Sequence, residues 1–267
     1  MLIIPDVHGR PFWKKAVEET NEKEIIFLGD YLDPYPHEGI GPNQSLENFK
    51  EILTWRSSVN GKKVIMLIGN HDGAYVSREV EPGSRYSRFI AKEAGRLFEE
   101  NKEFFSLAYT EKINGKQYLF SHAGLHFDWI DTMFSGADSD RSILESPEKI
   151  VNYLNNGLLT DNWLIMGSLN DMSRYRGGFS EFGSIVWSDV NEFFHYKDGK
   201  INKVPFDYQI FGHTQMNEYP VITDKFANLD VRRPFILNSD GEILEFDGTK
   251  AILWEDLEKQ LKEESGE

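Results

Sequence analysis

The 267-residue sequence predicts an α/β layered fold built around a mixed sheet. Three observations carry the prediction. Short runs rich in Ile, Val, Leu and Phe recur along the chain, amphipathic stretches separate the first three of them, and polar or glycine-containing turns close them. Strand, helix, strand alternation is the pattern of helices layered on a sheet.

Taken in order, residues 1–4 form a first buried strand, 12–20 a helix, 24–28 a second strand, 45–58 a second helix and 63–68 a third strand. Runs at 117–120, 184–187, 207–211 and 234–237 predict further strands, because four to six apolar residues bounded by turns suit a strand covered on both faces. Asn238-Ser239-Asp240-Gly241 lies between 235–237 and 243–246 and predicts a late hairpin. Residues 125–176 carry helical periodicity with many Asn, Ser and Asp, and are expected to form a helical insertion over one sheet edge within a single domain spanning 1–267. Residues 254–267 predict a charged amphipathic helix that frays at its end.

Composition narrows the function. Apolar residues at 40% and aromatics at 13% are too abundant for a disordered chain, and the length suits one hydrophobic core. A net charge of −15 argues against general binding of nucleic-acid backbones, which rests on Lys and Arg, though a local basic site stays open. The absence of cysteine excludes disulfides, thiolate zinc sites and cysteine nucleophiles, so any metal must be held by His, Asp, Glu or Asn. No apolar run approaches the ~20 residues that span a bilayer, and a cleavable leader would remove the first strand and its polar end. A cytoplasmic location, with no membrane association and no obligate protein partner, is therefore expected.

Five predicted strands end in one kind of text. Asp6-Val7-His8-Gly9, Gly29-Asp30-Tyr31-Leu32-Asp33, Gly69-Asn70-His71-Asp72, Ser121-His122-Ala123-Gly124 and Gly212-His213-Thr214 each place Asp, Asn or His beside a glycine at a strand terminus. Ligands of open α/β sheets bind there. Any one of these is weak alone, since Asp and His are ordinary turn residues. Together they gather four of the seven histidines, His8, His71, His122 and His213, at strand ends. His37, His126 and His195 stand in less regular contexts and are expected at the surface or behind the site.

This ordered set resembles the calcineurin-like metallophosphoesterase superfamily. Trp187-Ser188-Asp189 and Gly212-His213-Thr214-Gln215 make it most similar to the phosphoprotein-phosphatase (serine/threonine phosphatase) branch and its bacterial relatives, over residues 3 to about 230. The resemblance implies a four-layer sandwich of two mixed β-sheets flanked by helices. It also implies two divalent ions, one on Asp6 and His8, the other on Asn70, His122 and His213, with Asp30 bridging them. Such sulfur-free ligands suit Mn²⁺ first, with Fe or Zn²⁺ as alternatives. His71 corresponds to a proton donor for the leaving oxygen and Asp33 to its orienting partner. The implied activity is hydrolysis of phosphate monoesters by a metal-held hydroxide, on a phosphoprotein, nucleotide or small metabolite. Hydrolysis of nucleotides or dinucleoside polyphosphates by the same ions is the alternative, and a non-catalytic scaffold of this fold is the alternative from another class.

The sequence departs from that branch in Gly-Asp-x-x-Asp-Arg-Gly, where the arginine grips phosphate: Pro34 stands in its place. Pro5 also replaces the usual Gly before Asp6, and Gln215 stands where the broader superfamily has a second His. Arg10, Arg78, Arg174 and Arg176 are candidates to restore the cation. Arg176 is preferred, because Gly177-Gly178 behind it suggests a loop folded back over the site. Asn70 is expected to contact the phosphate as well.

Overall fold

The chain's first three strands run parallel because helices carry the connections between them. In the computed structural model, which describes residues 1–136, 140–194 and 203–265, β1 (Leu2–Ile4), α1 (Phe12–Glu19), β2 (Glu24–Phe27), α2 (Pro42–Ser58) and β3 (Lys63–Leu67) follow in that order. α3 (Asn70–Val76) leaves β3 almost directly, and α4 (Ala91–Glu100) leads to the short β4 (Phe105–Ser106). β5 (Ala108–Ile113) and β6 (Lys116–Ser121) follow, then α5 (Phe127–Thr132), α6 (Pro147–Leu159), α7 (Trp163–Ser168) and α8 (Val190–Phe194). β7 (Tyr208–Phe211), β8 (Val221–Ile222), β9 (Phe226–Asn228), β10 (Phe235–Leu237), β11 (Ile243–Glu245) and α9 (Trp254–Ser265) complete the described elements.

The strands form two mixed sheets. The first has the order β11-β10-β1-β2-β3-β4 and the second β5-β6-β7-β9-β8. β1, β2, β3 and β4 are mutually parallel, whereas β10 is antiparallel to both β1 and β11. Side-chain alternation explains the layering. Ile3, Ile26, Ile65 and Leu67 meet Tyr118, Phe120, Tyr208 and Ile210 between the sheets. Leu2, Ile4, Ile25, Phe27 and Met66 point the other way, onto Trp13 of α1, Phe49 and Ile52 of α2, and Phe98 of α4. On the outside of the second sheet, Phe211 and Phe226 pack with Val190, Phe193 and Trp254 of α8 and α9. The result is helix, sheet, sheet, helix, the predicted sandwich.

The late hairpin forms as expected, with Gly241 N–H returning to Asn238 O at 3.1 Å. Residues 125–176 hold α5, α6 and α7. Asn155 of α6 is stitched to the start of β5 by accepting from Leu107 and Ala108 N–H and donating to Ala108 O.

One expectation needs correction and one strand was missed. Residues 184–187 are a turn and not a strand: Trp187 and Ser188 N–H both donate to Ser184 O at 2.8 Å, curling the backbone. Ile185 and Val186 are buried nonetheless, and a short apolar run reads the same whether its backbone is extended or curled. β5 went unpredicted because its outward residues are polar, although Asn114-Gly115 before β6 is a hairpin signal. No described helix is long and apolar enough to cross a membrane.

Candidate metal centre

The strand ends bend sharply. Among the described residues, seven other than glycine have positive φ, and four belong to the predicted site: His8 (45°), Asp30 (53°), Asp33 (55°) and His213 (66°). A left-handed conformation at such residues costs about 1–3 kcal/mol each and persists only where surrounding bonds impose it. Here His8 N–H donates to Asp30 O at 2.6 Å and Gly9 N–H to Tyr31 O at 3.0 Å. The buried Asp72 accepts from the amides of Asp30 (2.7 Å), Tyr31 (2.9 Å) and Gly69 (3.0 Å). Burial and the neighbouring Asp30 push the Asp72 carboxyl well up, against the pull of those three amides.

Two clusters result. Asp6, His8 and Asp30 present ligand atoms within 4.8 Å of one another, and so do Asp30, His122 and His213. Asp30 is common to both. Second partners settle the histidine tautomers: His8 Nδ1–H donates to Leu32 O (2.9 Å) and His122 Nδ1–H to Leu28 O (2.8 Å). Each Nε2 is left as a lone pair. His8 Nε2 faces Asp30 Oδ2 at 3.3 Å, while His122 Nε2 faces Asn70 Oδ1 at 2.9 Å and Asp30 Oδ1 at 3.5 Å. His213 Nδ1 also approaches Asn70 Oδ1 at 2.9 Å. Lone pairs converging in a buried space repel one another unless a cation lies between them, so the donor set fits metal ions.

The protonation states agree. Burial pushes His8 and His213 well below the usual imidazole range, Arg176 adding to the effect at His213, so both are neutral as ligation requires. Burial alone would raise Asp30, but the histidines around it, His122 and His71 foremost, hold its carboxyl low. Asp6 is raised by burial, with His122 opposing, and its two oxygens accept from His213 N–H at 3.1 and 3.2 Å.

Beside the clusters lies the predicted acid pair. His71 Nδ1–H donates to Asp33 Oδ2 at 3.1 Å. Sequence reasoning missed the residues around this pair. Tyr75 Oη donates to Asp33 Oδ1 at 2.6 Å and accepts from Ser87 N–H at 2.9 Å. Arg85 Nη2 donates to His71 Nε2 at 2.7 Å, and its guanidinium carbon lies 3.6 Å over the Tyr35 ring. Asp230 is buried near Asp6, and burial, with Asp6 adding to it, raises its pKa well up. These positions lie outside any repeated strand-end pattern, so only the fold brings them together.

A cavity of about 660 Å³ opens here, lined by His71, Tyr35, Arg85, Tyr175, Arg176 and Trp187 among others. Of the predicted arginines, Arg176 lines it, with Nη1 3.6 Å from Asp189 Oδ2. Arg174 and Arg78 are exposed and do not line it. Arg10 is buried, with Nε and Nη2 on Glu38 at 2.9 Å and Nη1 on Asp6 O at 3.2 Å. Gln215 turns its amide oxygen to Arg232. His37 is exposed and His195 lies outside the described residues. His126 is fully buried and stacked on Phe182 at 3.8 Å, which excludes the surface alternative for it; burial pushes its pKa down to about 3.

A model of the calcineurin-like phosphoesterase family matches residues 1–217. Among solved structures, a cold-active protein tyrosine phosphatase superposes with a TM-score of 0.59 at 14% identity, covering 93% of this chain and 77% of that one. Another structure of a cold-active protein-tyrosine phosphatase, from a psychrophilic Shewanella species, superposes at 0.51 and 13%, covering 94% and 79%. Such identities show a common fold. No curated protein sequence matches the chain.

Proposed function

The chain belongs to the calcineurin-like phosphoesterase family, and on that premise we propose that it hydrolyses phosphate monoesters at a centre of two divalent ions. Membership makes it a metal-dependent phosphoric ester hydrolase. One observation carries the finer reading: acceptor atoms from Asp6, His8, Asp30, Asn70, His122 and His213 converge in two adjoining clusters that share Asp30. Asp6 and His8 would hold one ion, and Asn70, His122 and His213 the other. Mn²⁺ is the first choice, with Fe or Zn²⁺ next, since the donors are oxygen and imidazole without sulfur. Bound there, the ions would supply Lewis-acid charge and an activated water for in-line attack at phosphorus.

The chain's own side chains do the rest. Asp33 fixes the His71 ring through Nδ1–H, and Tyr75 fixes Asp33. His71 lines the cavity, and once Arg85 turns its Nη2 away from His71 Nε2, a proton carried on that nitrogen meets the leaving oxygen. An alkoxide leaving group needs that proton and an activated phenolate does not.

A second reading has its own support. The Tyr175, Trp187 and Met172 walls leave room for a planar group beyond the phosphate, as a nucleotide or dinucleoside polyphosphate would carry. Turnover of Mn²⁺-loaded protein over phosphopeptides, nitrophenyl phosphate and dinucleoside polyphosphates separates the two. Higher kcat/KM on monoesters supports the first reading, and turnover of polyphosphates alone replaces it with the second. Protein that binds no ion and turns over none of them would be a scaffold.

A further inference from the structure

We infer that Arg85, delivered on the face of Tyr35, grips the substrate phosphate from a loop remote in sequence from the Asp33-Pro34 turn. The inference deepens the phosphoesterase reading and rests on it. A phosphate dianion is held best by a planar guanidinium fork, and Pro34 offers no donor at all. Arg10 has its fork closed on Glu38 and Asp6 O. Arg176 stands within 3.6 Å of the Asp189 carboxylate, so its charge is already shared.

Arg85 differs on each count. Among the described residues no carboxylate pairs with it. One nitrogen, Nη2, rests on the neutral acceptor His71 Nε2 at 2.7 Å, while Nη1 is buried with no hydrogen-bond partner. A buried, unpartnered N–H on a cation is an expensive arrangement that an anion would complete. The group also lines the same cavity as His71.

Its position is built, not incidental. Tyr35 lies under the guanidinium at 3.6 Å, two residues after Asp33. On the C-terminal side of Arg85, Tyr86 stacks on Tyr75 at 4.5 Å and Ser87 N–H donates to Tyr75 Oη at 2.9 Å. The same Tyr75 hydroxyl donates to Asp33. One tyrosine therefore registers both the arginine loop and the His71–Asp33 pair. On the N-terminal side, Glu81 N–H donates to Asn170 Oδ1 at 2.7 Å, which ties the loop to the segment just beyond α7. Tyr35 acts as a positioning residue, and Arg85 touches the substrate.

The experiment uses the full chain loaded with Mn²⁺ and inorganic phosphate as the probe, measured by titration calorimetry, with nitrophenyl phosphate turnover alongside. Arg85→Ala is expected to weaken phosphate binding and lower kcat/KM by roughly ten- to a hundredfold, as loss of a charge-assisted contact does, with metal content unchanged. Arg85→Lys should recover part of the loss, and added ethylguanidine should recover part of the Arg85→Ala activity. Tyr35→Leu should raise KM and the phosphate dissociation constant, and Tyr35→Phe, which keeps the ring, should retain most of what Leu loses. If Arg85→Ala fails to fold, Arg85→Gln is measured by the same criteria.

Phosphate binding by Arg85→Ala within twofold of wild type overturns the assignment. So does a loss confined to esters with poor leaving groups, because Arg85 would then act only through His71. Wild-type protein that binds Mn²⁺ but neither binds phosphate nor turns over esters brings down the phosphoesterase reading itself.

Discussion

Gly69 is the most exposing place to perturb the centre, because its missing side chain is what lets Asp30 stand where both clusters need it. A Cβ added at Gly69 would lie 2.6 Å from Asp30 N and 2.8 Å from Asp30 Cγ, and closer still to Oδ1. Cβ contacts below 3.0 Å are essentially never found, so Asp30 must retreat by at least about 0.4 Å. Metal-ligand distances tolerate roughly ±0.2 Å, about half that displacement. Gly69→Ala is therefore expected to lower the occupancy of both clusters, since they share Asp30, and to reduce kcat/KM by roughly a hundredfold or more. Strain in a packed interior adds about 1–3 kcal/mol of destabilisation. Elemental analysis after Mn²⁺ loading, urea unfolding and turnover of nitrophenyl phosphate measure the three quantities. Gly167→Ala is the control: nothing lies within 4 Å of its added Cβ and it sits in α7, so it should be neutral or stabilising by up to about 1 kcal/mol. A Gly69→Ala protein with two ions and wild-type turnover would refute the shared-carboxylate geometry.

The other predictions test separate parts of the site. Asp30→Asn should abolish turnover and reduce bound Mn²⁺ more than a change at Asp6, His8 or His122 alone; an equal loss on elemental analysis would remove Asp30 from its shared position. His71→Asn should keep its metal while kcat falls by roughly 10² to 10⁴ on alkyl phosphates and less on nitrophenyl phosphate, and equal losses would show His71 organising the site without donating a proton. Asp33→Asn and Tyr75→Phe should follow the same pattern in milder form. For pH, buried His126 titrates near 3 folded and about 6.5 unfolded. The unfolded chain then takes up the proton first, and stability falls as pH drops below about 6.5, by about 1.4 kcal/mol per unit for this group. Urea unfolding of metal-free protein between pH 7.5 and 5.5 should show a shallower pH slope for His126→Gln than for wild type; parallel slopes would contradict the burial.

The sheet and the predicted metal ligands were legible for one shared physical reason. A parallel strand is apolar on both faces and stops abruptly, so β1, β2, β3, β6 and β7 each print a short run followed by a turn carrying Asp, Asn or His. That text survives without any structure. Edge strands do not print it: β5 carries Thr110, Glu111 and Lys112 in a row and makes no apolar run, and β8 and β9 are too short to show a period. The 184–187 run misleads in the opposite direction, since burial alone does not extend a backbone. The substrate side of the site was least legible. Arg85 and Tyr75 lie in or near α3 and the segment after it, and their meaning comes from contacts with Tyr35, Asp33 and His71 across the fold. No local pattern marks an arginine as facing a cavity, so the sequence points to Arg176, which reaches the cavity but shares its charge with Asp189.

The bond between His213 N–H and Asp6 joins residues 207 positions apart, and this orders events during synthesis. At roughly 5–20 residues per second, Asp6 leaves the ribosome some ten to forty seconds before its clamp exists. During that interval β2 pairs with β1 and β3 with β2, but the side of β1 later taken by β10 is an open, apolar edge able to pair with other chains. The cluster of Asp30, His122 and His213 is incomplete until β7 has docked, because His213 follows that strand. That half of the site is thus completed late in synthesis, and the growing chain carries Asp6 and Asp30 for most of that time without the His213 amide and ring that later meet them.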